Sequence, residues 1–214
     1  MLTFRFPAAR LLEELFMVRP LVEADAEVVA TIHITELRTH FCGSTGRKLL
    51  SCYYRALVKG RGAFSYVWAN ESEPVSGFIC GIWDARYVRR ALLVKEWPRL
   101  LFWGVLHVVS HPRLLAKLLG RLASSLRCTR DNCIPFGVKA ECELRPIAVK
   151  ANSRGRGVAQ ALLEAFLAAA RARGGSSVNL KTEVDNERAN AFYRKCGFRL
   201  ESTSGGYNHY RLQL

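Results

Sequence analysis

The residues that could do chemistry concentrate between Ile147 and Ala159. The run Ile147-Ala148-Val149-Lys150-Ala151-Asn152-Ser153-Arg154-Gly155-Arg156-Gly157-Val158-Ala159 reads as a strand that enters a loop with two glycines one residue apart. That loop then opens a helix. Such a turn lets consecutive backbone N–H groups converge on one point, and the helix N-terminus adds partial positive charge; together they suit a pyrophosphate. Gly157 and Ala159 are small where a diphosphate would approach the backbone, and Arg154 and Arg156 add charge. The same glycines also fit an ordinary turn before a helix. No Gly-Lys-Ser/Thr follows, which excludes a Walker loop, and the three-glycine spacing of a dinucleotide fingerprint is absent.

A second informative segment runs Asn186-Glu187-Arg188-Ala189-Asn190-Ala191-Phe192-Tyr193-Arg194-Lys195-Cys196-Gly197-Phe198. Asp185 or Asn186 can cap a helix whose Ala189, Phe192 and Cys196 face a core. A cap and an apolar face explain one helix. They do not explain two such segments in this order, each after a strand.

The elements that must position these segments follow from periodicity and punctuation. Phe16 to Arg19 reads as an edge strand stopped by Pro20, and Glu23 to His40 as a helix broken by Gly43 and Gly46. A helix over Lys48–Val58 precedes a hairpin of Phe64–Ala69 and Val75–Ile82. Residues 86–130 are apolar and basic, with Pro98 and Pro112 implying two or three short helices. After a loop at Asp131–Gly137 comes a strand, Ala140–Val149, on which Glu141, Glu143 and Arg145 share one face and Cys142 and Leu144 the other. A helix from Gly157 to Arg173, a strand Val178–Thr182, a helix Glu187–Cys196 and a terminal hairpin of Phe198–Thr203 and Tyr207–Leu214 complete an α/β pattern around one mixed sheet.

Composition sets the outer bounds. Half of the 214 residues are apolar, enough to bury the core of one domain, 1–214, with an insertion at about 86–130. A formal charge of +14 calls for an anion: a phosphate-bearing cofactor, nucleic acid or an anionic membrane. The seven cysteines are scattered without metal-ligand spacing, so no metal is expected and the thiols read as idle in a reducing compartment. Met1 to Phe16 lacks the apolar run of a signal peptide, and no stretch reaches the ~18 apolar residues of a membrane span. The expectation is a cytoplasmic protein.

The two segments together resemble the signatures of the GNAT superfamily of acyl-CoA-dependent N-acetyltransferases. Arg154-x-x-Gly157-x-Ala159 is similar to its pyrophosphate loop, and Asn186-x-x-Ala189-x-x-x-Tyr193 before Gly197-Phe198 to its second cofactor segment. The resemblance covers Glu141–Leu214 strongly and Met17–Ile82 acceptably, and residues 86–130 have no counterpart in the minimal fold. It implies a mixed, mostly antiparallel central sheet flanked by helices, with a helical insertion. It also implies an enzyme that passes the acetyl group of acetyl-CoA to a primary amine in a ternary complex.

The roles it implies are specific. Backbone groups of Ile147, Ala148 and Val149 would pair with the pantetheine arm and polarise the thioester carbonyl. The loop Arg154, Gly155, Arg156, Gly157, Val158 and Ala159 would hold the pyrophosphate, and Asn186 the arm. Tyr193 stands where the family places the acid that protonates the departing thiolate. Glu143 matches the glutamate that some relatives use as base, although an ion pair with Arg145 explains it equally well. Members acting on protein N-termini usually carry a glutamate five positions before the asparagine; here that position is Lys181. The resulting expectation is a small-molecule acceptor such as an amino sugar, with a protein lysine, an RNA-bound amine or an inactive acyl-CoA-binding module as alternatives. A homodimer and peripheral contact of the basic insertion with an anionic membrane stay open as partners, while nucleic acid is not expected.

Overall fold

The computed structural model describes residues 17–37, 43–60, 62–69, 73–110 and 141–214. Its strands are β1 (Val18–Pro20), β2 (Ala63–Trp68), β3 (Gly77–Ile82), β4 (Glu141–Val149), β5 (Ser177–Glu183), β6 (Arg199–Ser204) and β7 (Tyr207–Gln213). They form a seven-stranded sheet in the order β1-β2-β3-β4-β5-β7-β6. Only β4 and β5 run parallel; the other neighbours are antiparallel. Every residue of β3 is buried, as its unbroken sequence GFICGI requires of a strand covered on both faces. β6, at the edge, is exposed throughout.

The helices are α1 (Ala26–Glu36), α2 (Gly43–Lys59), α3 (Ala85–Lys95), α4 (Trp97–Ser110), α5 (Val158–Ala172) and α6 (Glu187–Lys195). Val158, Leu162, Leu163, Phe166 and Ala170 of α5 recur at helical spacing and bury against one face of the sheet. Phe166 stacks on Phe64 with ring centroids 4.8 Å apart. Its ring also reaches Gly81, where an added Cβ would fall 2.2 Å from Phe166 Cε2, so a glycine there lets α5 lie close to the sheet. The opposite face holds a second core, built on Val29 and Ile32 of α1, Tyr54 and Leu57 of α2, and Val67 and Phe78 of the sheet.

In that second core His33 bonds the hydroxyl of Tyr54 at 2.6 Å. Burial pulls the His33 ring from its ordinary 6.5 down to about 4. Between these two values the unfolded chain takes a proton that the folded chain refuses. Stability therefore falls as pH drops through that window and levels off below it. His33→Gln keeps a hydrogen-bonding partner for Tyr54 and is expected to lose less of its urea midpoint between about pH 7 and about pH 5 than wild type. Equal losses in both proteins would clear His33 of the effect.

Two boundaries differ from the sequence expectation. Glu23–Asp25 form a separate 3-10 turn because the Asp25 carboxylate is held by Arg19 (2.7 and 2.8 Å) and by the Val22 amide (3.0 Å). α1 then ends at Glu36, with Leu37 extended, and His40 lies outside the described residues. Gly43 and Gly46, expected as breakers, instead form the first turn of α2. There the backbone is only partly hydrogen-bonded, and glycine costs less than in a helix interior.

Of the insertion, α3 and α4 are described and pack on α2. The Glu96 carboxylate at their junction is fully buried and is met by Lys59 Nζ at 2.6 Å and Arg99 Nη1 at 3.3 Å. The expected third helix, Pro112 and the loop at 131–137 lie outside the described residues.

Candidate active site

β4 and β5 stay paired only from Glu141–Ser177 to Glu143–Asn179. Beyond Glu143, β4 runs on to Val149 with β3 as its only strand partner among the described residues. The parting coincides with a β-bulge that sets Arg145 and Pro146 opposite Cys80. A bulge bends its strand, and proline has no N–H to offer a neighbour. A gap opens between the strands.

Which backbone groups face that gap follows from alternation. The Lys150 amide donates to Ser76 O at 2.9 Å. The groups of Ala148 therefore turn to β3, and those of Ile147 and Val149 turn to the gap. In agreement, Val149 O accepts from Arg154 Nε at 3.1 Å rather than from a strand. Of the three residues read as lining an extended arm, Ile147 and Val149 present backbone groups there and Ala148 does not.

The loop after β4 makes a 3-10 turn at Ala151–Ser153 and enters α5 through Gly155 and Gly157, at φ of 75° and 84°. Glycine adopts such angles without the cost an L side chain incurs. None of the amides from Gly155 to Ala159 reaches an acceptor among the described residues. A row of unpartnered N–H groups at the N-terminus of a helix fits a diphosphate.

Arg154 does something other than add charge. Its guanidinium is taken by Val149 O and by the Glu36 carboxylate, which also accepts the Ala151 amide at 3.2 Å. It ties the loop to β4 and to the end of α1. Arg154 and Arg156 are both exposed, and of the two only Arg154 has a carboxylate partner among the described residues.

Across the gap, Asn186 caps α6: its Oδ1 accepts the Ala189 amide at 3.2 Å. Asn190, one turn on, is buried and reaches Glu183 O (2.9 Å), Val184 O (3.3 Å) and Asn186 O (2.8 Å). Its Oδ1 accepts from Tyr210 Oη and Asn208 Nδ2, both at 2.9 Å. It thereby fixes the end of β5, the start of α6 and β7 to one another. Tyr193 follows on the same helix, packed against Phe198 and Tyr210 with centroids 5.7 and 6.2 Å away. Burial pushes its hydroxyl well above the usual tyrosine range, so it stays protonated and can only give a proton.

On the opposite sheet face, Glu143 pairs with Arg145 at 2.8 Å. Tyr53 of α2 is close enough to feel both, although burial is what chiefly pushes its hydroxyl up to about 12. A base role predicts that Glu143→Gln flattens the rise of kcat/KM with pH and lowers it by ~10²–10⁴-fold. A pH–rate profile unchanged in shape would leave Glu143 as the partner of Arg145 and nothing more. Lys181 lies on β5 beyond the last pairing with β4, its Nζ 5.6 Å from the Tyr207 ring centroid.

The chain matches the model of the acetyltransferase (GNAT) family over residues 9–198. It belongs to that family. Among characterised proteins, N-alpha-acetyltransferase 30 of Schizosaccharomyces pombe (strain 972 / ATCC 24843) is 30% identical over 114 residues. Those residues are 53% of this chain and 66% of the yeast protein, a little under two thirds of its length. SsHAT shares the fold at 21% identity and a TM-score of 0.58, over 92% of this chain and 96% of its own. PaiA N-acetyltransferase of Thermoplasma acidophilum, solved in complex with coenzyme A, does so at 12% identity and 0.57, over 92% and 98%. At these identities the solved structures speak for the fold alone.

Within this GNAT chain the structure adds three residues that sequence reading passed over. Glu36 meets the loop across 118 positions, and no local signal announces it. Asn190 carries a weak signal, an asparagine on the buried side of a short helix. Tyr53 becomes relevant only once α2 is laid beside Glu143 and Arg145.

Proposed function

We propose that this GNAT chain transfers the acetyl group of acetyl-CoA directly to the primary amine of a small molecule, an amino sugar or another metabolite. One observation carries the reading: the open edge of Ile147 and Val149 runs straight into the unpartnered amides of Gly155 to Ala159. Those amides are suited to hold the diphosphate, and the Ile147–Val149 edge to pair with the arm as an added strand. Acetyl-CoA supplies an activated thioester. An N–H of the edge polarises its carbonyl, Glu143 takes the proton of the attacking amine, and Tyr193 gives one to the departing sulfur.

The charges beside the gap support a small acceptor. Arg145 is matched by Glu143, and Lys181 faces the same side with the Tyr207 ring beneath it and no carboxylate partner among the described residues. A cation there repels a protonated N-terminus and favours a metabolite that carries a phosphate or carboxylate near its amine. The second reading, the terminal amine of a protein, rests on the similarity to the yeast N-alpha-acetyltransferase.

A panel of small amines, with and without an anionic group, assayed against peptides with free N-termini separates the two. The expected result is that an anionic small amine is the best acceptor and that Lys181→Glu lowers its kcat/KM by about tenfold or more. A preference for peptide N-termini would establish the second reading. Acetyl-CoA binding without turnover of any acceptor would make the chain a binding module.

A further inference from the structure

The outer face of α4 carries Trp97, Leu101, Phe102, Val105 and Leu106, all exposed, Phe102 to 63%. Helical periodicity sets 97, 101 and 105 on one stripe and 102 and 106 directly beside it, so these side chains form one patch rather than scattered positions. Leu93 and Val94, at the end of α3, are equally exposed and adjoin it in sequence. The inner face of the hairpin is already used, because α3 and α4 pack on α2 and Glu96 is locked onto Lys59. A contiguous exposed apolar patch of this kind marks a site of interaction.

The charges around the patch identify the partner. Arg89 and Arg90 stand one turn before Leu93 and Val94 on α3 and Lys95 follows them, all exposed, while Arg99 is exposed and paired with Glu96. The one acid between positions 85 and 110, Glu96, is buried and neutralised. An apolar, tryptophan-bearing stripe whose exposed charged neighbours between positions 87 and 106 are all cations complements the surface of an anionic bilayer, where phosphates meet acyl chains. Among the described residues no helix is long and apolar enough to cross a membrane, so such a helix lies in the surface plane.

We infer that α3 and α4 form a docking surface for anionic lipid bilayers. The apolar stripe sits at the boundary of headgroups and acyl chains, and the flanking arginines and Lys95 sit on lipid phosphates. The placement has a consequence for the site. The inner side of α2 brings Tyr53 to Glu143 and Arg145, so the sheet face that carries these two residues is the one turned toward the bilayer.

Cosedimentation of the full chain with vesicles tests this. Wild type is expected to pellet with phosphatidylglycerol-containing vesicles at low salt, less at moderate salt, and not with phosphatidylcholine alone. Two double variants on exposed positions, Leu101→Ser with Phe102→Ser and Arg89→Glu with Arg90→Glu, are each expected to lower the bound fraction by about fivefold or more. Both should keep wild-type melting temperature and acetyl-CoA binding, which guards against a folding artefact. Absence of binding to anionic vesicles at low salt overturns the inference. So does binding that only the arginine pair weakens, since that is a contact open to any polyanion. So does a dimer, seen by sedimentation equilibrium without lipid, that the Leu101–Phe102 pair dissolves, since a second copy would then cover the face.

Discussion

Tyr193→Phe is expected to lower turnover by ~10²–10⁴-fold while leaving acetyl-CoA affinity within about twofold of wild type. The substitution removes one oxygen and keeps the ring that packs against Phe198 and Tyr210. The helix that carries it is held independently, by the Asn186 cap and by the hydrogen bonds of Asn190. Burial bears on the hydroxyl and, in the proposed role, on the sulfur that it would protonate. Burial holds the Tyr193 proton in place over the whole working range. Burial of the same kind destabilises a thiolate: Cys142, in the same core, is pushed up to about 12. A sulfur leaving into such surroundings needs a proton more than one leaving into water does. Steady-state kcat and a calorimetric Kd for the variant check this. An unchanged kcat would mean that water protonates the sulfur and that Tyr193 is a packing residue.

Much of this site was legible because its signals are local. The alternation of Glu141 to Val149, the paired glycines and the cap at Asn186 each need only neighbours along the chain, and each element formed where expected. The central sheet was legible for the same reason, through short β-rich runs set off by turns. What sequence reading missed depends on register between distant segments. Arg154 looked like a charge for an anion, yet Glu36 at the end of α1 claims it once α1 is laid against β4. Ile147 and Val149 could not be told from Ala148 until the Lys150–Ser76 bond fixed which groups face β3. Likewise the apolar run of α4 gave no sign of its outer side. Trp103 and Leu100 are half-buried while Phe102 and Leu101 face outward, because α2 selects which stripe it covers.

Gly157→Val is expected to weaken acetyl-CoA binding by ~10²–10⁴-fold, more than any single charge removal at the loop. Gly157 stands at φ 84° as the N-cap of α5. A β-branched side chain resists that conformation, so the amides around it would be turned out of line, and its methyl groups would occupy the space that the loop offers a diphosphate. Losing two amide bonds to a charged oxygen, at ~1.5–3 kcal/mol each, corresponds to a change of that size in Kd. Arg156→Ala, by contrast, removes one solvated cation and leaves every amide in place, so its effect should stay within about tenfold. Gly157→Asn separates conformation from space. Asparagine tolerates a left-handed backbone but carries a side chain. Near-normal affinity for the asparagine variant would assign the loss in Gly157→Val to misdirected amides. An equal loss in both would assign it to occlusion. Calorimetry on the three variants, with melting temperatures to show that α5 still forms, measures all of this. If Gly157→Val bound acetyl-CoA as tightly as wild type, the loop would be an ordinary turn, and the anion that this basic chain calls for would have to sit elsewhere.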